Sequence, residues 1–175
     1  MSVSAEELRP GLWTWTGRHP DWTPQDDWGP EVRSYALVRD GHAILFDPIT
    51  PPDSLRRDRT VEVVLTADWH RRSSDQLNAA VRRAGDPLPA GVEEQPAFFP
   101  GDRMFWLPDE RALILGDSLM YGRAIPDAWL EESTRAEYNA KLRPLLDLPV
   151  ELLLPTHGDP IVESAREQLE QELGR

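Results

Sequence analysis

The segment 65–74, Leu-Thr-Ala-Asp-Trp-His-Arg-Arg-Ser-Ser, follows the apolar run Val61 to Leu65 and leads into a helix-like stretch, where a strand-to-loop turn would present ligands. If the segment stays extended, Asp68 and His70 share one face at i and i+2, with Cα atoms roughly 6.5 Å apart. Two more polar groups close apolar runs: Gly116-Asp117 after Ala112 to Leu115, and Pro155-Thr156-His157-Gly158 after Glu151 to Leu154. With no cysteine in the chain, any metal site must use His, Asp or Glu. That donor set suits zinc, iron or manganese rather than a soft metal. Ser118 lacks the Gly-x-Ser-x-Gly context of a serine nucleophile. Arg71 and Arg72 stay charged at any working pH and cannot ligate, but one turned inward would bind a carboxylate or phosphate bidentately.

The elements that must position these groups alternate. Leu12 to Thr16 alternates aromatic and β-branched residues, as a strand does. A loop rich in Pro, Asp and Trp follows, carrying His19, Trp22 and Trp28. Ser34 to Val38 and Ala43 to Phe46, joined at Asp40-Gly41, read as a hairpin ending in Asp47-Pro48, with His42 on its exposed tip. Val61 to Leu65 reads as a central strand, and Ser73-x-x-Gln76 as the capping box of a helix over about 74–83. Residues 86–101 are expected to be irregular. Arg103 to Leu107 and Ala112 to Leu115 form a second strand pair, Thr134-x-x-Glu137 opens a helix that stops or kinks near Pro144, Glu151 to Leu154 is the last strand, and Ser164-x-x-Glu167 caps a C-terminal helix. The acidic groups Glu93 and Glu94, Glu131 and Glu132, and Glu163, Glu167 and Glu170 read as solvated faces.

Composition bounds the function classes. A chain of 175 residues fits one domain, 1–175, and its 17 prolines and 29% charged residues imply long loops. A formal charge of −12 repels phosphate backbones, and the arginines form no basic stripe, so nucleic acid is not an expected partner. Met1 to Arg9 carries Glu6 and Glu7 without an apolar signal region, and no apolar run approaches the ~20 residues of a membrane span. The expectation is a cytoplasmic protein that acts on a small molecule and does not bind membranes.

The hairpin ending in Asp47, the Thr66 turn between strand and helix, and the later strands ending in Asp117 and His157 make the chain resemble the metallo-β-lactamase-fold superfamily over roughly 13–162. Leu12-Trp13-Thr14-Trp15, His19-Pro20-Asp21-Trp22, Phe46-Asp47-Pro48 and 154–160, Leu-Pro-Thr-His-Gly-Asp-Pro, are similar to a short family within it whose reaction is unknown. The resemblance implies an α/β fold, a minimal αββα sandwich of two mixed sheets with helices on the outer faces. In the superfamily a Thr-His-x-His-x-Asp-His turn, a later His, an Asp and a final His hold two metals. Aligned on Thr66, this chain has Ala67, Trp69, Arg71 and Arg72 at the four turn positions and Phe98 at the third-histidine position, so only Asp117 and His157 match. Shifted by one residue, Asp68 and His70 join Asp117 and His157 as four ligands of one ion. Asp47 then steadies the turn without ligating.

Three readings follow from this. In the first, the dinuclear site is lost and the old cleft binds a small polar or anionic ligand through Arg71 or Arg72, with hydrogen bonds from His70 and His157 and with His19 and Trp22 at the cleft mouth. It requires no metal. In the second, Asp68, His70, Asp117 and His157 hold one divalent metal, zinc first, iron or manganese otherwise, and His157, Asp117 and His70 serve hydrolysis of an ester, thioester, lactone or amide. In the third, the aromatic loop 13–28 binds a protein partner.

Overall fold

The computed structural model describes residues 4–130 and 133–174 of the chain; Met1, Glu131 and Glu132 lie outside the described residues. The described residues form two compact units, one up to Ala90 and one from Gly91, each with its own sheet and apolar core.

The first unit is a six-stranded mixed sheet in sequence order: β1 (Glu6–Arg9), β2 (Leu12–Arg18), β3 (Glu31–Arg39), β4 (His42–Phe46), β5 (Thr60–Val64) and β6 (Ala80–Arg82). β1 to β4 run antiparallel, and β4, β5 and β6 run parallel. The turn between β3 and β4 places Asp40 at φ 48° and Gly41 at φ 78°, the positive pair a two-residue hairpin needs. A short helix, α1 (Asp53–Arg56), leads into β5. Trp15, Val32, Leu45, Val63 and Leu65 fill the core, and the Trp15 indole N–H donates to the Ile49 carbonyl at 2.6 Å. Trp13 and Trp28 pack against this core.

The helix expected over 74–83 is absent: Ser74–Gln76 makes one 3-10 turn, Leu77 is extended, and β6 pairs with β5. Ser73 accepts the Thr50 backbone N–H at 2.9 Å and makes no capping bond, so the helix signal is spent on a tertiary contact. The open edge of β5 then captures Ala80 to Arg82, because ladder hydrogen bonds outweigh a weak local propensity.

The second unit holds a four-stranded mixed sheet, ordered β10-β9-β8-β7, from β7 (Glu93–Gln95), β8 (Met104–Leu107), β9 (Ala112–Leu115) and β10 (Leu152–Pro155). β9 and β10 are parallel; the other pairs are antiparallel. β8, β9 and β10 are buried throughout, as their unbroken apolar runs require. β7 lies inside the stretch expected to be irregular; its Glu93 is exposed and Glu94 pairs with Arg103 at 2.8 Å. α2 (Arg135–Leu142) begins with the Thr134–Glu137 capping box and gives way to a 3-10 turn at Arg143–Asp147 containing Pro144. α3 (Ala165–Leu173) buries Leu169 and Leu173, but Ser164 sits at φ 54° and makes no side-chain cap. Met104, Leu115, Tyr138, Leu142, Leu153 and Leu169 belong to this unit's core. Two mixed sheets with three helices among the described residues make the chain α/β. No helix among the described residues is long and apolar enough to cross a membrane.

Candidate metal centre

In the first unit, parallel pairing of β4 with β5 puts Phe46 opposite Val64, so the residues leaving the two strand ends meet. Asp47, wholly buried at φ 44°, donates its backbone N–H to the Val64 carbonyl at 3.2 Å. Its carboxylate accepts the Thr66 backbone N–H at 2.8 Å and the Thr66 hydroxyl. The Thr66 oxygen lies 2.7 Å from His70 Nδ1, and Asp47 Oδ2 is 3.3 Å from the same nitrogen. A hydroxyl has one proton, and here it goes to the carboxylate; toward His70 the Thr66 oxygen must therefore accept. That assigns the proton of a neutral His70 ring to Nδ1 and its lone pair to Nε2, the form in which an imidazole ligates. His70 is buried.

The segment does not stay extended past Ala67, the condition on which a shared face for Asp68 and His70 rested. Ala67 is extended, but Asp68–His70 is a 3-10 turn closed by His70 N–H to the Ala67 carbonyl at 3.0 Å, because the buried Asp47–Thr66–His70 chain pulls His70 inward. Asp68 and His70 consequently do not share a face. The Asp68 side chain is 67% exposed and lies 3.7 Å from Arg83. Arg71 is exposed and pairs with Asp75 at 2.5 Å. Arg72 turns the other way: its Nη1 donates to the Arg33 carbonyl at 2.7 Å and the Asp47 carbonyl at 2.9 Å, bracing the same turn.

The loop after β2 is tied to itself. The His19 Nδ1 accepts the Asp21 N–H at 3.2 Å, its ring meets Trp28 edge-on at 5.1 Å, and the Trp22 indole N–H donates to the Trp28 carbonyl at 2.7 Å. Burial, and then the nearby Arg72 cation, lower the His19 pKa below its ordinary value. Trp22 is half-buried, with the Arg18 guanidinium over its ring at 4.9 Å.

In the second unit, β9 and β10 run parallel with Leu115 opposite Pro155, and Asp117 and His157 each lie two residues further on. Their side chains stand 3.7 Å apart, Asp117 Oδ1 to His157 Nε2, with the imidazole buried. Asp102 anchors the Asp117 turn. Its Oδ1 accepts the Asp117 N–H at 3.0 Å, and its Oδ2 accepts the Ser118 N–H at 2.7 Å and the Ser118 hydroxyl at 2.5 Å. Burial pushes the Asp102 carboxyl up to about 6, with the Asp117 charge adding and the Ser118 hydrogen bonds opposing. The Ser118 oxygen also accepts the N–H groups of Phe98 and Phe99, at 2.7 and 3.2 Å. Ser118 is thus a wholly buried structural hydroxyl. Gly116 is required at its position, since a Cβ there would lie 1.9 Å from Asp102 Oδ1.

Asp102 was not anticipated from the sequence. No local pattern marks it, because its partners lie 15 and 16 residues further along the chain.

Over 99% of this chain and 98% of the other, the backbone is similar to that of the DIM-1 metallo-β-lactamase, with a TM-score of 0.67 and 10% identity. The chain has the metallo-β-lactamase fold. A metallo-β-lactamase of Hirschia baltica matches with a TM-score of 0.57 at 12% identity, covering 99% of this chain and 98% of that one. The mono-zinc form of an Erythrobacter litoralis metallo-β-lactamase matches with a TM-score of 0.63 at 15% identity, covering 99% and 95%. At these identities the likeness to metallo-β-lactamases concerns the course of the backbone. No protein-family model matches the sequence, and no curated protein is significantly similar to it.

Proposed function

We propose that the chain is a mononuclear metal-dependent hydrolase of the metallo-β-lactamase fold, in which Asp117 and His157 ligate one divalent cation. The observation that carries this reading is the Asp117–His157 pair. At 3.7 Å it is too long for a hydrogen bond, yet it is near the ~3.3 Å that separates two ligands of one tetrahedral zinc with bonds of about 2.0–2.1 Å. Both residues are of ligating type, and an imidazole with a carboxylate is a donor pair that suits zinc. The mono-zinc Erythrobacter litoralis enzyme supports a single ion as compatible with this fold.

Asp68 drops out of the ligand set because it faces solvent. Ala67 and Trp69 cannot ligate and Arg71 and Arg72 are cations, so a second ion finds no donors at the positions the fold uses for it. When bound, the cation supplies Lewis-acid polarisation of the carbonyl of an ester, thioester, lactone or amide. The chain's own residues do the positioning. Asp47 and Thr66 fix the His70 tautomer, and Asp102 fixes the Asp117 turn.

The metal-free alternative, with Arg71 or Arg72 receiving an anion, has less support, since Arg71 is engaged by Asp75 and Arg72 by two carbonyls. A partner-binding aromatic loop is likewise disfavoured, because Trp22 is half-buried and bonded within its own loop.

Elemental analysis of untagged protein tests the reading. About one zinc per chain is expected, falling to near zero in His157→Ala and in Asp117→Ala, with hydrolysis of a chromogenic ester lost in parallel. Two ions per chain would overturn it. So would a folded protein that takes up no zinc and gains no thermal stability from zinc in excess.

A further inference from the structure

The first unit has a concave feature lined by none of the metal-site residues. It is a pocket of 440 Å³ beside α1 and the start of β5, within the size range of small-molecule sites. Three of its lining residues are Arg56, Arg57 and Arg59, and one is Asp53, so the lining carries 3 − 1 = +2 charges in a chain of net charge −12. Such a reversal needs like charges crowded within four residues, at an electrostatic cost that a bound anion removes.

The arginines differ in their engagement. Arg56 is neutralised by Asp53. Arg59 is held in advance: its Nη1 donates to the Ser54 carbonyl at 2.7 Å and lies 3.5 Å from the Arg57 carbonyl. A guanidinium has five donors, so the fixed Arg59 keeps others, already ordered, for a ligand. Asp58 at φ 60° and the Arg59 N–H bond to the Arg56 carbonyl at 3.3 Å turn the chain back between Arg57 and Arg59. The rest of the lining is mostly apolar, Val61, Leu77 and Ala79, with one amide, Asn78.

We propose that this pocket binds a small phosphomonoester whose organic part is apolar. The dianion matches the +2 lining and the guanidinium geometry, Asn78 offers a further polar contact, and Val61 and Leu77 take the apolar body. A carboxylate would match only half the charge. The site is independent of the metal reading.

Phenyl phosphate, titrated calorimetrically into EDTA-treated protein at low salt, is the probe, with inorganic phosphate, benzoate and phenol beside it. Phenyl phosphate is expected to bind saturably and more tightly than any of the other three, and to weaken as salt rises. Arg57→Ala should weaken it roughly 10-fold or more, the loss of one charge-assisted contact. Arg59→Lys, which keeps the charge but not the planar fork, should also weaken it, while His157→Ala should leave it unchanged. Equal affinity for benzoate would overturn the choice of phosphate, and equal affinity for inorganic phosphate would overturn the apolar subsite. Absence of saturable binding, or binding that survives Arg57→Ala or is lost in His157→Ala, would overturn the site itself.

Discussion

Asp117 and His157 stand 3.7 Å apart because each is the second residue beyond a matched pair, Leu115 and Pro155, on adjacent parallel strands. The two strands lie 40 positions apart in sequence but end in register, so one sheet edge delivers both side chains. In the first unit Asp47 and Thr66 leave β4 and β5 at nearly the same level for the same reason. In each unit a buried aspartate, Asp47 or Asp102, accepts both a backbone N–H and a side-chain hydroxyl from the turn that carries a candidate ligand.

Asp47→Ala removes the acceptor of the buried Thr66 N–H and hydroxyl together. A loss of about 2–4 kcal/mol in urea unfolding is expected.

Gly116→Ala places a methyl group 1.9 Å from Asp102 Oδ1 and 2.7 Å from the Arg103 carbonyl oxygen, and the latter is backbone that cannot swing aside. Overpacking of this kind should destabilise by about 1–3 kcal/mol. A urea midpoint equal to that of the parent chain would show that the turn relaxes freely.

Asp102 titrates near 6 when folded against an ordinary value of 3.8, chiefly because it is buried. Between these values the folded chain holds a proton that the unfolded chain has released. Its contribution to stability is therefore complete below about pH 4 and is lost as pH rises through about 6, by roughly 3 kcal/mol. Asp102→Asn, in metal-free protein, should remove that dependence. The test is the difference between parent and variant unfolding free energies from pH 4 to 7; a difference flat with pH would contradict the shift.

Thr134 and Ser164 carry the same sequence signal and make opposite predictions. Thr134 accepts the Glu137 N–H at 3.2 Å within a complete capping box, so Thr134→Ala should cost about 1 kcal/mol. Ser164 makes no such bond and sits at φ 54°, so Ser164→Gly should be neutral or stabilise by up to about 1 kcal/mol. Thermal unfolding of both variants checks the contrast.

Most of the secondary structure was legible because its determinants are local. Alternation and unbroken apolar runs mark β2 to β5 and β8 to β10, the Asp40-Gly41 pair marks its hairpin, and Thr134-x-x-Glu137 marks α2. The failures have tertiary causes. Ser73 and Ser164 look like helix caps, but a hydroxyl can serve one partner or another, and Ser73 serves Thr50. Strands of three residues, β6 and β7, have no pattern of their own and exist because a neighbour's edge is open to them.

The residue types alone determined that no thiolate or Gly-x-Ser-x-Gly elbow is present, that Asp117 and His157 follow strands, and that two arginines stand beside His70. Which side chains do what was decided by tertiary structure. A run of Asp-Trp-His-Arg-Arg has no preferred face until something pulls one residue in. Here a hydrogen-bond chain from Asp47, 19 residues upstream of Thr66, draws His70 inward as a 3-10 turn and leaves Asp68 in solvent. Buried polar groups must be satisfied wherever partners exist, and those partners are set by strand register, which is not written at the site itself.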